Sequence, residues 1–199
     1  MRRVLLILAL ASACSGDQRP NEAALAQSPV TSKDVAACGS GMSPLLTGNG
    51  LGSLTVGLTT DSVKAACTVV KDTLLELDEG EEARTLFVAV AGDTVEAVVV
   101  NGQVWRVEVA SQSLRTVDSL GVGSTMRELL RSAGAEGAEG AEGEGVLYVK
   151  LRSKCGISFR LDAIIPDGAH RSSWTIDDLR GLDSAVSVDR VLLVGCRTQ

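Results

Sequence analysis

The stretch TLFVAVAGDTVEAVVVNGQVWRVEVAS, residues 85–111, predicts a group of neighbouring β-strands. It contains three runs rich in β-branched residues, and these runs are divided by Gly92-Asp93 and Asn101-Gly102, dipeptides that favour tight hairpin turns. The pattern predicts an antiparallel meander with strands at about residues 85–91, 94–100 and 103–110. In the third strand Trp105 alternates with Arg106, which places Trp105 on the dry face and Arg106 on the wet face.

A similar helix opening lies on each side of this meander. The residues VGLTTDSVKAAC (56–67) are echoed by VGSTMRELLRSA (122–133). Thr59 or Thr60 can cap the first helix, whose apolar residues continue at helical spacing to Val70. Ser124 or Thr125 can cap the second, and Glu128 completes a capping box with Thr125. The echo predicts an internal duplication.

Three more strands are expected after the second helix. Apolar and polar residues alternate over 147–152 and 157–162, and RVLLVGC (190–196) is nearly all apolar. The sequence therefore predicts an α+β fold of two tandem units, each with one helix packed on a three-stranded antiparallel meander. The units are expected at 36–118 and 119–199, the second with an insertion at 163–188.

The segment GAEGAEGAEGEG, residues 134–145, has glycine at nearly every third position. It lacks proline and is far too short for a collagen helix. Its four glutamates do not form the ligand set of an EF-hand loop. The pattern favours a flexible loop.

The N-terminus predicts export and lipid attachment. Arg2 and Arg3 precede the apolar run Val4–Ala11, which is too short to span a membrane. Two forms of processing remain open: secretory cleavage that leaves Cys14 as a free thiol, or lipoprotein cleavage that leaves Cys14 diacylated. Residues 1–13 are expected to be a signal peptide. Residues 14–35 are expected to be a flexible tether in the cell envelope, anchored to the outer membrane and facing the periplasm.

Cysteine parity favours the lipid anchor. If Cys14 carries lipid, an even four cysteines remain for an oxidising compartment: Cys38, Cys67, Cys155 and Cys196. Three pairings are possible, and sequence alone does not select one. Cys38–Cys67 and Cys155–Cys196 are preferred, one bridge in each predicted unit. Cys155 and Cys196 lie in strands of one predicted sheet, and Cys67 lies on the buried face of the first predicted helix.

Ala11-Ser12-Ala13-Cys14 resembles the lipobox of bacterial lipoproteins. Together with the meanders and the two helix openings, this segment resembles the SmpA/OmlA (BamE-type) outer-membrane lipoproteins. The helix openings are Val56-Gly57-Leu58-Thr59-Thr60 and Val122-Gly123-Ser124-Thr125. The tandem arrangement is similar to that of β-lactamase-inhibitor proteins. The resemblance implies a protein that binds other proteins and catalyses nothing. The aromatic-rich third strand of the assembly lipoproteins is absent, so their particular partner is not implied.

Composition and motifs argue against several functions. Cleavage of the signal peptide removes Arg2 and Arg3 from the 19 Lys and Arg residues. The mature chain then has 17 basic and 25 acidic residues, a net charge of −8. So acidic a chain does not favour nucleic-acid binding. No nucleotide motif is complete at Gly48–Ser53 or Gly121–Thr125, and no metal site or cofactor is expected.

The expected function is a non-catalytic, membrane-tethered envelope module that binds an acidic protein partner through the wet face of the sheet. The residues expected to bind it are Tyr148, Lys150, Arg152, Arg160 and Arg106. One alternative is an envelope hydrolase that uses His170 with an acid of the 163–180 insertion, such as Asp167 or Asp177. Another is a carrier with an apolar pocket between sheet and helices.

Overall fold

The computed structural model describes residues 38, 44–76, 82–134, 137–143, 145–163, 165 and 171–196. Their main feature is an antiparallel sheet of eight strands, accompanied by three short helices and a small three-stranded sheet. The small sheet consists of β1 (Leu46–Thr47), β2 (Gly50–Leu51) and β3 (Leu54–Thr55). The helices are α1 (Thr60–Ala66), α2 (Met126–Ala133) and α3 (Ile176–Arg180). The strands of the large sheet are β4 (Thr68–Glu76), β5 (Glu82–Val90), β6 (Asp93–Val100), β7 (Gln103–Val109), β8 (Ala138–Gly143), β9 (Val146–Leu151), β10 (Ile157–Leu161) and β11 (Val188–Leu193).

The strands of the large sheet lie in the order β4-β5-β6-β7-β11-β10-β9-β8. The order is symmetric about its centre, where β7 pairs with β11 through Val107–Val109 and Val191–Leu193. Two four-stranded groups thus share one continuous sheet. The predicted fold class is wrong. The sequence predicts two units of one helix and three strands each, whereas the structure adds β4 and β8 and joins all eight strands in one sheet.

Strand β4 begins where the first helix was expected to continue. Thr59 caps α1 by accepting a hydrogen bond from the amide of Ser62, but the helix ends at Ala66. Cys67 is already extended, with φ −135° and ψ 155°. The following Thr-Val-Val sequence consists of β-branched residues, which are stiff in helices and fit a pleated surface. The apolar spacing that reached Val70 therefore continues into a strand.

Strand β8 lies inside the segment that was expected to be a flexible loop. It pairs with β9 from Ala138 opposite Leu151 to Gly143 opposite Val146. Ala138 and Gly140 face the core, and a Cβ atom added at Gly140 would lie 2.8 Å from Cβ of Trp174. The small residues form a strand because a tryptophan covers them, so the low strand propensity of glycine is overridden by packing.

Replacing Gly140 with alanine should lower the free energy of unfolding by about 1–3 kcal/mol, because the new methyl group overpacks the contact with Trp174. Gly143→Ala is the matched control in the same strand, since the nearest atom to its added Cβ is 4.0 Å away. Denaturant unfolding of both variants measures the difference. Equal stabilities would show that Trp174 does not cover β8.

The core lies between one face of the large sheet and the helices. Buried side chains from all three helices join it, among them Val63, Leu129 and Leu179. Phe159 of β10 is fully buried. The capping box of Thr125 and Glu128 at the start of α2 is confirmed, with the Thr125 amide donating to Glu128 Oε2 at 2.7 Å.

Two cysteine pairs lie at disulfide distance, and they are the pairs that the sequence analysis preferred. Cα atoms are 4.8 Å apart for Cys38 and Cys67, and 5.3 Å apart for Cys155 and Cys196. Both distances fall in the usual range for a bridge. The first bond fixes Cys38 to the start of β4, and the second joins the approach to β10 with the end of β11.

Candidate functional site: the outer face of the sheet

The face of the large sheet opposite the helices is called the outer face. Side chains alternate along each strand, so the residues between the core positions reach this face. The register places Glu108 opposite both Glu96 and Leu192, and Arg160 opposite both Arg190 and Tyr148. Polar and charged residues therefore run across the middle of the sheet.

Most arginines of the outer face are neutralised by acids beside them. Arg190 Nη1 donates to Glu108 Oε2 at 2.7 Å, and Arg106 Nε lies 2.6 Å from Glu108 Oε1. Arg160 Nε donates to Asp189 Oδ1 at 2.9 Å, and this bond raises the pKa of the Arg160 guanidinium. Arg106 and Arg160, two of the five expected binding residues, are thus already engaged in ion pairs.

The alternation of Trp105 with Arg106 predicts that Trp105 lies in the core. In the structure Trp105 lies on the outer face instead. The pairing of β6 with β7 shifts, so that Val98 lies opposite Arg106 and Val99 opposite Val104. Trp105 is therefore the extra residue of a β-bulge, which redirects its side chain. Trp105 is 45% exposed, and the Arg106 guanidinium lies 4.9 Å from its ring centroid.

A shallow depression of about 320 Å³ lies beside Trp105 on the outer face. Leu192 and Val194 provide apolar surface, Tyr148 adds an aromatic ring, and Ser158 and Lys150 add polar groups. Ser158 and Leu192 are buried, while Val194 is 36% exposed. The depression therefore combines a mainly apolar lining with a cation at its rim.

Lys150 and Arg152 are two further cations of β9 and its end. Within the described ranges neither side chain has an acid within ion-pair distance. Both line a second concavity of about 590 Å³ that also contacts Trp105. Glu139 lies opposite Lys150 in the register, so the local excess is one positive charge.

Lys154 lines the same concavity but is held by Asp118. Its Nζ lies 2.7 Å from Asp118 Oδ1, and the same carboxylate accepts hydrogen bonds from Ser132 and Thr116. Burial alone would raise the pKa of Asp118, but the bonds from Lys154, Ser132 and Thr116 outweigh it and hold that pKa well below its ordinary value of 3.8. Asp118 ties the β7–α2 connection to α2 and to the turn before β10.

Asp118→Asn should reduce the free energy of unfolding at pH 7 by about 1–2 kcal/mol, a value discounted because the carboxylate is partly exposed. A depressed pKa contributes stability above the unfolded pKa and loses it as the carboxylate is protonated. The difference in the free energy of unfolding between wild type and variant should therefore narrow below about pH 4. Thermal unfolding across pH 2–7 measures it. A gap that stays constant would contradict this role, and Asp177→Asn, in an exposed ion pair with Arg180, is the control with little expected effect.

Other expected sites are only partly within the described residues. Cys14 and His170, with Asp167, lie outside them. Asp177 forms an ion pair with Arg180, with 2.7 Å between Oδ1 and Nη1. Among the described side chains, His, Cys, Asp and Glu residues do not gather in groups of three that could bind a metal. The helices within the described ranges are too short or too polar to cross a membrane.

Comparison with known proteins indicates the fold. No protein-family model matches the sequence, and a search of curated proteins finds no significant relative. Among solved structures, the chain is similar to the uncharacterized protein YfeY from Escherichia coli. The match has 17% identity, covers 75% of this chain and 99% of that chain, and has a TM-score of 0.53. The resemblance to SmpA/OmlA and β-lactamase-inhibitor repeats is therefore wrong: the chain shares its fold with YfeY and is built on one eight-stranded sheet.

Proposed function

We propose that this protein is a non-catalytic lipoprotein of the cell envelope, tethered through Cys14, that binds an acidic protein partner on the outer face of its sheet. The proposal rests chiefly on the exposure of Trp105 beside Tyr148, over an apolar surface formed by Leu192 and Val194. Tryptophan, tyrosine and arginine are the residues that most often dominate the energy of protein interfaces.

The charge of the site favours an acidic partner. The ion pairs of Arg106, Arg160 and Arg190 leave the centre of the outer face nearly neutral. Lys150 lines the depression, and Arg152 lines the second concavity, which shares Trp105 and Lys150 with the depression. Neither side chain has an ion-pair partner among the described residues. On a protein with an acidic balance of charge, such a local cationic site directs an acidic partner to one place and increases the rate of association.

The chemistry of the depression suggests how a partner would be held. An apolar or aromatic side chain of the partner can pack between Trp105 and Tyr148, where it loses contact with water. An acidic residue next to it in the partner can reach Lys150 at the rim. Arg106 remains stacked on Trp105 and paired with Glu108, so it supports the tryptophan and is not needed as a direct contact.

Neither alternative function gains support of this kind. The space between the sheet and the helices is filled by buried side chains such as Phe159, Leu129 and Leu179, which does not favour an internal carrier pocket. For a hydrolase, Asp177 is held by Arg180, and His170 lies outside the described residues.

The test is photocrosslinking in cells that make the full chain. A benzoylphenylalanine in place of Val194, at the depression, should give a discrete crosslinked protein. The same group in place of Val117 should not give this crosslinked protein, because Val117 is 80% exposed but does not line the depression. The adduct from position 194 should fall at least tenfold in the double variant Lys150→Glu with Arg152→Glu, because both attractive charges become repulsive.

Two results would contradict the proposal. One is the same set of adducts from positions 194 and 117, which would indicate random contact. The other is an adduct from position 194 that the charge-reversed variant leaves unchanged, which would exclude recognition by Lys150 and Arg152.

A further inference from the structure

The segment before α3 covers only part of the outer edge of β8. Gly140 of β8 exchanges two backbone hydrogen bonds of 2.8 Å with Trp174. The amide of Arg171 donates to the carboxylate of Glu142 at 3.1 Å. The chain then turns into α3, which is capped by Thr175. Trp174 is therefore the last residue of this segment that pairs with β8, and α3 diverges from the strand beyond it.

A cleft of about 800 Å³ lies between the diverging α3 and the first residues of β8. On the β8 side, the residues that line it without a charge are all small: Gly134, Gly137, Ala138, Gly140 and Ala141. Glycine and alanine carry no side-chain atom beyond Cβ, so this part of the chain leaves the cleft open. The glycine- and alanine-rich segment that was expected to be a loop thus forms one wall of a cleft.

The cleft adjoins the two concavities of the outer face. It shares Glu139, Lys150 and Arg152 with the second concavity. The second concavity in turn shares Trp105 and Lys150 with the depression. The three together are called the groove, which begins at Trp105 and ends beside α3.

The groove has the length of a short extended peptide. From Trp105 in β7 it passes β11, β10, β9 and β8 and reaches the segment of Trp174, which is five strand spacings away. Neighbouring strands lie about 4.8 Å apart, so the groove is about 24 Å long. An extended chain rises about 3.3 Å per residue, so about seven residues span this length. A path that leads from the face of a sheet to its edge suits an extended segment better than the convex surface of a folded domain.

The charges of the cleft favour an acidic segment. Among the described residues, its charged side chains are three cations and one acid: Lys150, Arg152, Arg180 and Glu139. Arg180 forms an ion pair with Asp177, so the remaining excess of one positive charge lies at Lys150 and Arg152. The pair of Arg180 with Asp177 is exposed on both sides, and exposed pairs contribute little to stability. An acid of a bound segment can therefore replace Asp177 at Arg180 at little cost.

Asp178, the other acid at the start of α3, is engaged within the protein and does not line the groove. Its Oδ1 accepts a hydrogen bond from Arg171 Nη1 at 2.6 Å, and its Oδ2 accepts one from the amide of Thr175 at 2.8 Å. Repulsion between α3 and an acidic segment is thereby reduced.

We infer that the groove binds an extended segment of the acidic partner, about seven residues long, with an apolar residue at the depression and acidic residues along the cleft. Because the segment belongs to the partner of the proposed function, this inference rests on that function. Acidic residues of the segment can reach Lys150 and Arg152 first and Arg180 at the far end. Ser172 and Ser173 also line the cleft, and their hydroxyl groups can bond to the main chain of an extended segment.

The experiment extends photocrosslinking in cells to the far end of the groove. A benzoylphenylalanine in place of Ser173, which is exposed and lines the cleft, should give the same crosslinked protein as the group at position 194. Val194 follows β11, so the two groups are four strand spacings apart, about 19 Å, or about six residues of an extended chain. Because the photoreactive side chains add to the reach, mass spectrometry of both adducts should place their attachment sites within about ten residues of each other in the partner.

Arg180→Glu tests the cation at the far end. It should lower the adduct from position 173 about fivefold or more, and the adduct from position 194 less, because the reversed charge repels only the end of the segment. Arg131→Glu is the matched control and should leave both adducts unchanged, since Arg131 is exposed on α2 and does not line the groove. Circular dichroism and thermal unfolding check that both variants fold as wild type does.

Failure of this inference can be distinguished from failure of the proposed function. If position 194 gives no discrete adduct, the proposed function fails and the extended segment with it. If position 194 gives an adduct that depends on Lys150 and Arg152, but position 173 gives a different protein, none, or an attachment in a distant part of the same protein, only the extended segment is contradicted. Equal effects of Arg180→Glu and Arg131→Glu on the adduct from position 173 would also overturn it.

Discussion

Phe159→Ala is expected to lower the free energy of unfolding by about 3–5 kcal/mol, because it leaves a cavity in the middle of the core. Phe159 is fully buried in β10. It pairs with Val149 of β9 on one side and with Val191 of β11 on the other, close to the place where the two four-stranded groups join. Loss of the ring therefore weakens the centre of the sheet and not only one hairpin.

Phe87→Ala is the control for this change. It removes the same ring from β5, but Phe87 is only half-buried on the outer face beside Lys71, whose Nζ lies 5.4 Å from the ring centroid. Urea unfolding monitored by circular dichroism should show a clearly smaller loss for Phe87→Ala. Similar losses in the two variants would contradict the assignment of Phe159 to the core and Phe87 to the outer face.

Removal of the bond between Cys155 and Cys196 is expected to cost about 4 kcal/mol. The bond closes a loop with a sequence separation of 41 residues, and the stabilisation follows from the restricted entropy of the unfolded chain. The loop contains β10, α3 and β11, so the unfolded variant gains freedom in the segments that build one half of the sheet. The double variant Cys155→Ser with Cys196→Ser avoids a single reactive thiol.

Cys38→Ser with Cys67→Ser is the comparison, because its bond closes a shorter sequence separation of 29 residues and should cost slightly less. Chemical denaturation under non-reducing conditions measures both. Peptide mapping by mass spectrometry identifies the bonds in wild type. A bond between one residue of each pair, such as Cys67 with Cys155, would contradict the structure.

The hairpins of the first group could be predicted from local chemistry. Strands β5, β6 and β7 occur within a few residues of the expected positions, and both expected turns contain residues with positive φ, such as Asn101 at 51° and Gly102 at 77°. Asparagine and glycine accept this conformation more easily than other residues. The signal is local, so an isolated sequence contains it.

Strands β4 and β8 could not be predicted in this way, because distant contacts determine them. The residues of β8 have little strand propensity, and their strand depends on Trp174, which lies more than thirty positions later in the chain. For β4, apolar residues at helical spacing concealed a β-branched run. Without these two strands, the remaining periodic patterns suggest three strands per unit and a resemblance that the fold does not support.

The position of some candidate residues on the outer face could be predicted from the sequence. Tyr148 and Lys150 were expected on the wet face, and both line the depression. Trp105 was missed because strict alternation assigns it to the dry face, and only the shifted register of β6 and β7 shows the bulge. The pairing of Arg160 with Asp189 was also hidden, since the two residues are 29 positions apart.

The position of Trp105 on the outer face is the claim on which the proposed site depends, and tryptophan fluorescence tests it most directly. The chain has two tryptophans, so Trp174→Phe leaves Trp105 as the only one, and Trp105→Phe leaves the buried Trp174. Trp105 should emit at the longer wavelength of an exposed indole and be quenched efficiently by acrylamide, whereas Trp174 should be protected. Short-wavelength emission and protection of Trp105 in the folded Trp174→Phe protein would contradict it.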